Sequence, residues 1–267
     1  MEAKELFDAG NLSAAIDQLN QDLKANPTDS HSRTFLFELL CFSGDLERAG
    51  RQLDTIAQLS GQVTVEIGVQ LYRNILQAEK ARRHLFTAGG QPKFLLEAPP
   101  YARLHLEAIE KLRGPNPAEA SALLHQAGQL RSPSKGRLDG GSFEDFRDCD
   151  DLLAPFLEVI IQKEYAWLPF EQIQRVEISR PKRLRELIWV PAKVSLHEKP
   201  LGDVYLPVLY PRTNEDPNDL IKLGRMTDLK PMSADLVLGV GQRIFLAGNE
   251  EKPILEINEI EFQTGNS

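Results

Sequence analysis

The chain has 267 residues, and its 42% hydrophobic and 26% charged content is ordinary for a globular protein with a sizeable core. This length exceeds the common single-domain size, so two domains are expected, with one large α+β domain as the alternative. A net charge of −8 argues against a protein whose main task is to neutralise nucleic-acid phosphates, and no nucleic-acid partner is expected.

The start of the chain and its two cysteines bear on where the protein works. Residues 1–7 form an acidic, amphipathic helix start without the basic and apolar regions of a signal peptide. No run approaches the ~20 apolar residues that span a bilayer. Cys41 and Cys149 lie far apart and have no zinc-like spacing, which favours reduced, structural thiols. We therefore expect a cytoplasmic protein that does not insert into membranes.

The first part of the chain contains a repeat with the offset that separates Gly10 from Gly44, 34 residues. That offset is the tetratricopeptide period. In such a helical hairpin, a glycine turns the chain after the first helix and an Asn or Asp caps the second. The matching positions are Leu6 and Leu40, Gly10 and Gly44, Asn11 and Asp45, Leu12 and Leu46, and Ala15 and Ala49.

The helical pattern continues less regularly towards residue 130. Residues 63–86 are predicted to form one long helix, and residues 101–120 a further hairpin that turns at Gly114. Each hairpin needs neighbours to cover its apolar face, so isolated units are not expected. We predict a repeat domain at 1–130 with three to four hairpins, of which the third is irregular.

Stacked hairpins of this kind often hold a peptide in a groove. By their positions in the repeat unit, His31, Thr34 and Glu38 would face such a groove, and they are the candidate peptide-binding residues. The alternative is that all three are ordinary solvated helix residues.

The second half of the chain has a different periodicity. Residues 131–142 are rich in Gly, Ser and Pro and are predicted to be a linker. Residues 143–267 are then predicted to form a β-rich domain. The expected strands are 156–161, 165–170, 172–179, 187–190, 192–196, 204–210, 243–246 and 254–257. The predicted fold class is α+β, with tetratricopeptide-like helical hairpins followed by a small, curved antiparallel β domain.

Residues 146–160 form the seam between the two halves and carry the carboxylates Asp148, Asp150 and Asp151. Paired carboxylates can hold a divalent metal ion or act as general acid and base, so a hydrolase or metal-dependent enzyme is the alternative function. In the structural interpretation, these carboxylates cap a short turn and pair with Arg147 or another arginine.

Other catalytic motifs are missing from the sequence. The five histidines show neither His-x-x-x-His nor His-Glu-x-x-His spacing, and there is no Gly-x-Ser-x-Gly or complete phosphate-binding loop. We therefore assign no catalytic, cofactor-binding or metal-binding residue. The seam is instead predicted to lock the repeats to the sheet, with Phe146 and Leu152 buried and the aspartates bonded locally.

Six ordered blocks of the C-terminal half resemble the motifs of the ImpE/SciE/TagJ family, accessory proteins of bacterial type VI secretion systems. The sequence departs from the family pattern at Arg212-Thr213, where Gly-Ser is usual, and at Leu229, where Trp is usual. The matching blocks are Phe146-Arg-Asp-Cys-Asp-Asp-Leu-Leu-Ala-Pro-Phe-Leu-Glu-Val159, Tyr165-Ala-Trp-Leu-Pro169, Arg183-Leu-Arg-Glu-Leu-Ile-Trp189, Val204-Tyr-Leu-Pro-Val-Leu-Tyr-Pro211, Leu223-Gly-Arg-Met-Thr-Asp228 and Gly239-Val-Gly-Gln-Arg243.

The resemblance implies a cytosolic, non-enzymatic adaptor without a cofactor. Members of the family are similar to a protein that binds the N-terminal helix of the small contractile-sheath subunit (TssB-like). That protein is linked to sheath handling and, indirectly, to the sheath-disassembly ATPase ClpV. A helix-binding groove on the repeats fits that role physically, and the β domain would serve as a docking or scaffold surface.

Overall fold

The N-terminal half of the protein is helical in a computed structural model that describes residues 2–114 and 116–263. Among these residues seven α-helices precede the first strand. They are α1 (Ala3–Asp8), α2 (Leu12–Ala25), α3 (Ser30–Ser43), α4 (Leu46–Ser60), α5 (Val63–Thr87), α6 (Pro100–Arg113) and α7 (Pro117–Leu130).

The helices pair as the 34-residue repeat predicts. Helices α1 and α2, α3 and α4, and α6 and α7 form hairpins, while α5 is a single helix of 25 residues. Gly10 and Gly44 turn the first two hairpins with φ values of 84° and 88°, the left-handed region that glycine adopts most readily. Ala15 and Ala49 are fully buried where the paired helices approach each other. The predicted helical hairpins are therefore confirmed.

One predicted helix cap is wrong. The Asp45 carboxylate accepts a hydrogen bond from the Arg48 backbone N–H at 3.0 Å, as expected of a cap. Asn11, at the matching position of the first unit, makes no capping bond through its side chain. The shared sequence pattern therefore predicts the glycine turn correctly in both units, but it predicts the side-chain cap correctly only in the second.

The C-terminal half is built on antiparallel sheets. An eight-stranded sheet has the order β2-β1-β13-β6-β7-β8-β4-β5, a three-stranded sheet has the order β12-β11-β3, and β9 pairs with β10. The strands are β1 (Gly136–Leu138), β2 (Gly141–Phe143), β3 (Phe146–Asp148), β4 (Phe156–Ile161), β5 (Glu164–Pro169), β6 (Ile173–Ile178), β7 (Trp189–Leu196), β8 (Pro200–Pro207), β9 (Thr227–Ser233), β10 (Leu236–Gly241), β11 (Ile244–Ala247), β12 (Glu250–Pro253) and β13 (Glu259–Phe262). One short helix, α8 (Asp219–Lys222), precedes β9.

The large sheet is open, and its edges are β2 and β5. The loop before α6 covers the outer edge of β5, because the Lys93 N–H donates to the Tyr165 carbonyl and the Lys93 carbonyl accepts from the Trp167 N–H, both at 3.0 Å. The predicted α+β class with an antiparallel β region is confirmed.

The strand predictions fail in several places. Strands β3, β12 and β13 were not predicted, and the predicted strands 187–190 and 192–196 form the single strand β7. Strands β1 and β2 lie in or begin within the predicted linker 131–142, since short strands that contain glycine and serine can still pair along a sheet edge. Residues Ile254–Glu256 form a 3-10 turn instead of the predicted strand. The β9 and β10 hairpin was not predicted, because its prolines and glycines hide the alternation.

The helical and β regions share one apolar core. Phe156 stacks on Trp167 in the large sheet with 4.6 Å between ring centroids, and His105 of α6 meets the Phe156 ring at 5.1 Å. Phe146 is fully buried among four rings, of which the last three are distant in the sequence: Phe143, Phe170, Phe245 and Phe262.

The C-terminal half also packs against the turns of the repeats. The Arg225 guanidinium donates hydrogen bonds to the Asp8 and Phe7 carbonyls at 2.8 and 2.9 Å. At Gly44, a Cβ atom would lie 2.6 Å from the Asn214 amide nitrogen, which is closer than real Cβ contacts allow. Glycine is therefore required there both for the backbone conformation and for close approach.

Replacing Gly44 with alanine tests this contact. Alanine in a left-handed conformation costs about 1 kcal/mol in the free energy of unfolding, and the clash with Asn214 adds about 1–3 kcal/mol. Gly61→Ala is the matched control, since Gly61 is also left-handed with φ 58° but has no atom within 4 Å of the new Cβ. Denaturant titration measures both variants. Equal losses would show that the turn is not packed tightly against Asn214.

Candidate functional site

A chain of buried charges joins the long helix to the sheets. Arg82 of α5 donates to both carboxylate oxygens of Glu158 on β4, at 2.8 and 2.9 Å. Arg243, between β10 and β11, pairs with the same Glu158 carboxylate and with Asp148 of β3. All four residues are at most 3% exposed. This set, Arg82, Glu158, Arg243 and Asp148, is called the ionic chain below.

Hydrogen bonds to neighbouring groups satisfy most of the remaining donors of the ionic chain. Arg82 also donates to the Leu209 carbonyl at 2.9 Å and to the Glu79 carboxylate at 3.2 Å. Glu79 in turn accepts from the Trp189 indole N–H at 3.2 Å, and Tyr165 donates its hydroxyl to Glu158. A buried ion pair is stable only when its partners are hydrogen-bonded in this way.

The charges in the ionic chain shift the ionisation of its members. Burial would raise the pKa of Glu158, but the adjacent Arg82 and Arg243 guanidinium groups outweigh burial and lower that pKa to about 2. The Glu158 carboxylate raises the pKa of Arg82, and the Asp148 and Glu158 carboxylates raise the pKa of Arg243. Glu158 and both arginines are therefore charged over the physiological pH range, whereas burial, opposed by the charge of Arg243, raises the pKa of Asp148. The chemistry of the ionic chain is that of a structural connection.

Each of the seam carboxylates accepts hydrogen bonds from its own set of donors. Asp148 accepts from the Asp150 backbone N–H at 2.8 Å as well as pairing with Arg243. Asp151 accepts from Arg147 at 3.0 Å and from the Val237 N–H at 2.7 Å. Within residues 2–114 and 116–263, no three His, Cys, Asp or Glu side chains converge as a metal-binding group would require.

Asp150 differs from its two neighbours. Its carboxyl oxygens accept from the backbone N–H groups of Leu152 and Gly239, each at 2.9 Å. It is 4% exposed and forms no ion pair with a cationic side chain in the described residues. Burial, followed by the charge of nearby Asp148, raises the pKa of Asp150 to about 8.

The three candidate groove residues do not form one open surface. His31 is exposed at the start of α3, and the Thr34 hydroxyl donates to the Ser30 carbonyl of its own helix at 2.8 Å. Glu38 is 8% exposed and pairs with Arg185 at 3.0 Å. The C-terminal half of the same chain therefore covers the repeat surface at Glu38. The repeat pattern cannot predict that Glu38 is covered, because Arg185 lies 147 residues away in the sequence.

Two of the sequence blocks that resemble a known family meet at Tyr210. Its hydroxyl donates to the Ile244 carbonyl at 2.9 Å and accepts from the Ile244 N–H at 3.0 Å. Arg243 lies over the Tyr210 ring at 5.2 Å, and a Cβ on Gly239 would collide with the same ring. The blocks at 204–211 and 239–243 therefore pack against each other. The sequence interpretation of Arg82, as part of a basic cluster (Arg82-Arg83-His84) at a solvated helix end, is wrong, because Arg82 is buried against Glu158. Glu158 lies inside the first block, but the sequence predicted no partner for it.

An apolar surface remains exposed where α4 meets α5. Leu59 is 41% exposed, and Val63 and Ile67, one helical turn apart on α5, are 70% and 66% exposed. We call these three residues the apolar stripe. Beside it lies an open groove of about 560 Å³ whose lining includes Ala57, Glu66 and Arg73. The sequence signal for this surface is the i and i+4 spacing of Val63 and Ile67, but such spacing predicts a buried helix face as readily as an exposed one.

Breaking the ionic chain is expected to cost far more than breaking a surface pair. Arg82→Met leaves a buried carboxylate short of a partner and lowers the free energy of unfolding by about 3–5 kcal/mol. Arg73→Met, on the same helix, removes a pair with Asp54 whose side chains are 41% and 56% exposed, and it costs at most about 1 kcal/mol. Similar small losses in denaturant titrations would contradict a coupled, buried network.

The low pKa of Glu158 makes its contribution depend on pH. The unfolded carboxyl, with an ordinary value of 4.5, binds a proton more readily than the folded one, so Glu158 stabilises the protein above pH 4.5 and this contribution fades as pH falls towards 2. The shift corresponds to about 3 kcal/mol. Urea titrations of wild type and Glu158→Gln should therefore differ most at neutral pH and converge near pH 2. A constant difference would contradict the shift.

The chain is similar to known proteins. A family model described as ImpE protein matches residues 140–261, which contain all six sequence blocks. The Type VI secretion system accessory component TagJ of Pseudomonas aeruginosa is 31% identical over 263 residues, which cover 98% of this chain and 92% of that protein.

A solved structure shows the same fold. The crystal structure of a protein from Vibrio parahaemolyticus superposes with a TM-score of 0.90 and 27% sequence identity, covering 98% of this chain and 97% of that one. Separately, none of the described helices is long and apolar enough to cross a membrane. The full-length match to TagJ and the family model over the C-terminal half confirm the resemblance, and this chain is a member of the ImpE/TagJ family.

Proposed function

We propose that this protein is a non-enzymatic adaptor of a bacterial type VI secretion system. On this proposal it works in the cytoplasm and binds the N-terminal helix of the small contractile-sheath subunit (TssB-like). Its link to the ClpV ATPase is indirect, through the sheath. The full-length similarity to an accessory component of such a system supports the setting.

One observation carries the helix-binding part of the proposal, the apolar stripe. An amphipathic helix binds to another protein by placing apolar residues with i and i+4 spacing against an apolar surface. Val63 and Ile67 offer such a surface, and the adjoining groove contains both an acidic and a basic side chain, Glu66 and Arg73, that can fix the orientation of a bound helix. His31 and Thr34 remain secondary candidates, while Glu38 is occupied by Arg185.

The arrangement of the seam supports a non-enzymatic role. A hydrolase or metal-dependent enzyme built on Asp148, Asp150 and Asp151 needs carboxylate oxygens that face a common substrate or ion. Here the oxygens of each aspartate accept hydrogen bonds from backbone or arginine donors, and the three aspartates share none of these donors. These carboxylates stabilise the fold, and the adaptor is therefore the better supported function.

Binding measurements with the sheath subunit test the proposal. A labelled peptide of its N-terminal helix should bind the full-length protein, and the double variant Val63→Glu with Ile67→Glu should weaken binding at least about tenfold, because it places charges against apolar contacts. Fluorescence anisotropy gives the dissociation constants, and circular dichroism checks folding.

Leu130→Glu is the matched control, since Leu130 is 57% exposed on α7 and lies outside the apolar stripe. Its affinity should equal that of the wild type. Unchanged affinity in the double variant would rule out the apolar stripe as the binding surface. Equal binding of the sheath subunit with and without its N-terminal helix would rule out helix capture altogether.

A further inference from the structure

A second pocket opens in front of Asp150. It has a volume of about 280 Å³ and lies between the end of α5, the seam and the β9 and β10 hairpin. Its walls include the apolar side chains Phe86, Leu152, Met232 and Leu238. The volume is close to the lower end of the range for small-ligand pockets, about 300 Å³. We call this cavity the Asp150 pocket.

The acid in this pocket lacks a counter-charge. Asp150 is the only carboxyl in the lining that is both buried and free of an ion pair among the described residues. Its two hydrogen bonds come from neutral backbone groups, Leu152 N–H and Gly239 N–H. Each carboxylate oxygen has a second lone pair that can accept another donor.

The other charged groups around the pocket are already matched. Arg212 pairs with Glu215 at 2.9 Å, and Lys230 pairs with Asp216. Behind Asp150, the Asp148 carboxylate is paired with Arg243 of the ionic chain. A ligand that enters the pocket therefore meets apolar walls, a rim of neutralised charges and one unpaired acid.

We propose that the Asp150 pocket binds a primary alkylammonium group, with the ammonium on the Asp150 carboxylate and the alkyl chain against Phe86, Leu152 and Met232. A long aliphatic stem that carries a terminal cation matches this combination of apolar walls and buried acid. Two sources have this chemistry, a lysine side chain of a partner protein and a free alkylamine. This site is separate from the apolar stripe and does not depend on the adaptor function.

Binding of an ammonium group should release a proton from Asp150. In the empty pocket, burial keeps the Asp150 carboxyl largely protonated near pH 7. When an ammonium pairs with it, the carboxyl releases its proton to the buffer, and the ammonium keeps all of its own protons. Close to one proton should therefore leave the protein for each ligand bound, and the observed binding enthalpy should depend on the ionisation enthalpy of the buffer.

Isothermal titration calorimetry of the full chain tests the site with three probes. These are n-pentylamine, a capped Gly-Lys-Gly peptide, and n-pentanol as the uncharged analogue. The amine or the lysine peptide should bind with proton release, and pentanol should bind at least about tenfold more weakly. Tighter binding of the peptide assigns the lysine source, and tighter binding of pentylamine assigns the free amine.

Two methionines of the β9 region provide a matched pair of variants. Met232→Trp should fill the pocket and lower affinity at least about tenfold. Met226→Trp should not, because Met226 is equally exposed, at 47% against 46%, but does not line the pocket. Asp150→Asn should abolish proton release, with thermal unfolding as the check that it folds. Absence of binding by both cationic probes, pentanol binding as tightly as they do, or equal loss in both tryptophan variants would overturn the proposal.

Discussion

The ionic chain determines how the two halves of this protein fit together. Glu158 lies inside the core with two arginines on it, and these arrive from different directions, Arg82 from a helix and Arg243 from the strands beyond the β9 and β10 hairpin. Desolvating three such charges is costly unless all of them meet, so an arrangement of the halves that separates any one of them is strongly disfavoured. The helices and sheets are therefore held in a single relative position.

Helix α5 connects this constraint to the surface where a partner can bind. The helix is about 37 Å long, and its two ends have different environments. The C-terminal end carries Arg82 and Glu79 into the core, whereas the N-terminal end presents Val63 and Ile67 to solvent. The buried end is held by charge, and one continuous helix connects it to the exposed end. Rigid surfaces lose little entropy on binding, which favours affinity for a helical partner.

The sequence predicts those parts of the fold that depend on neighbours along the chain. Gly10 and Gly44 specify their turns locally, and the 34-residue offset between them follows from one hairpin stacking on the next. Contacts between distant residues were beyond such patterns. Arg82 meets Glu158 from 76 residues away, and neither local sequence identifies the other residue as its partner. For the same reason, the sequence did not predict that Arg185 covers Glu38, or that this part of the expected groove is therefore buried.

Asp148 and Asp150 show why a motif alone does not assign a role. They stand two residues apart in one block, yet Asp148 has an arginine partner and Asp150 has none. Two backbone N–H groups explain why position 150 carries an acid, since an asparagine offers one oxygen and would turn an N–H₂ group towards the other donor. These bonds do not explain why a cavity stays open in front of the carboxyl. A purely structural acid needs no cavity beside it, so the Asp150 pocket, rather than the acidity of the residue, is what points to a ligand.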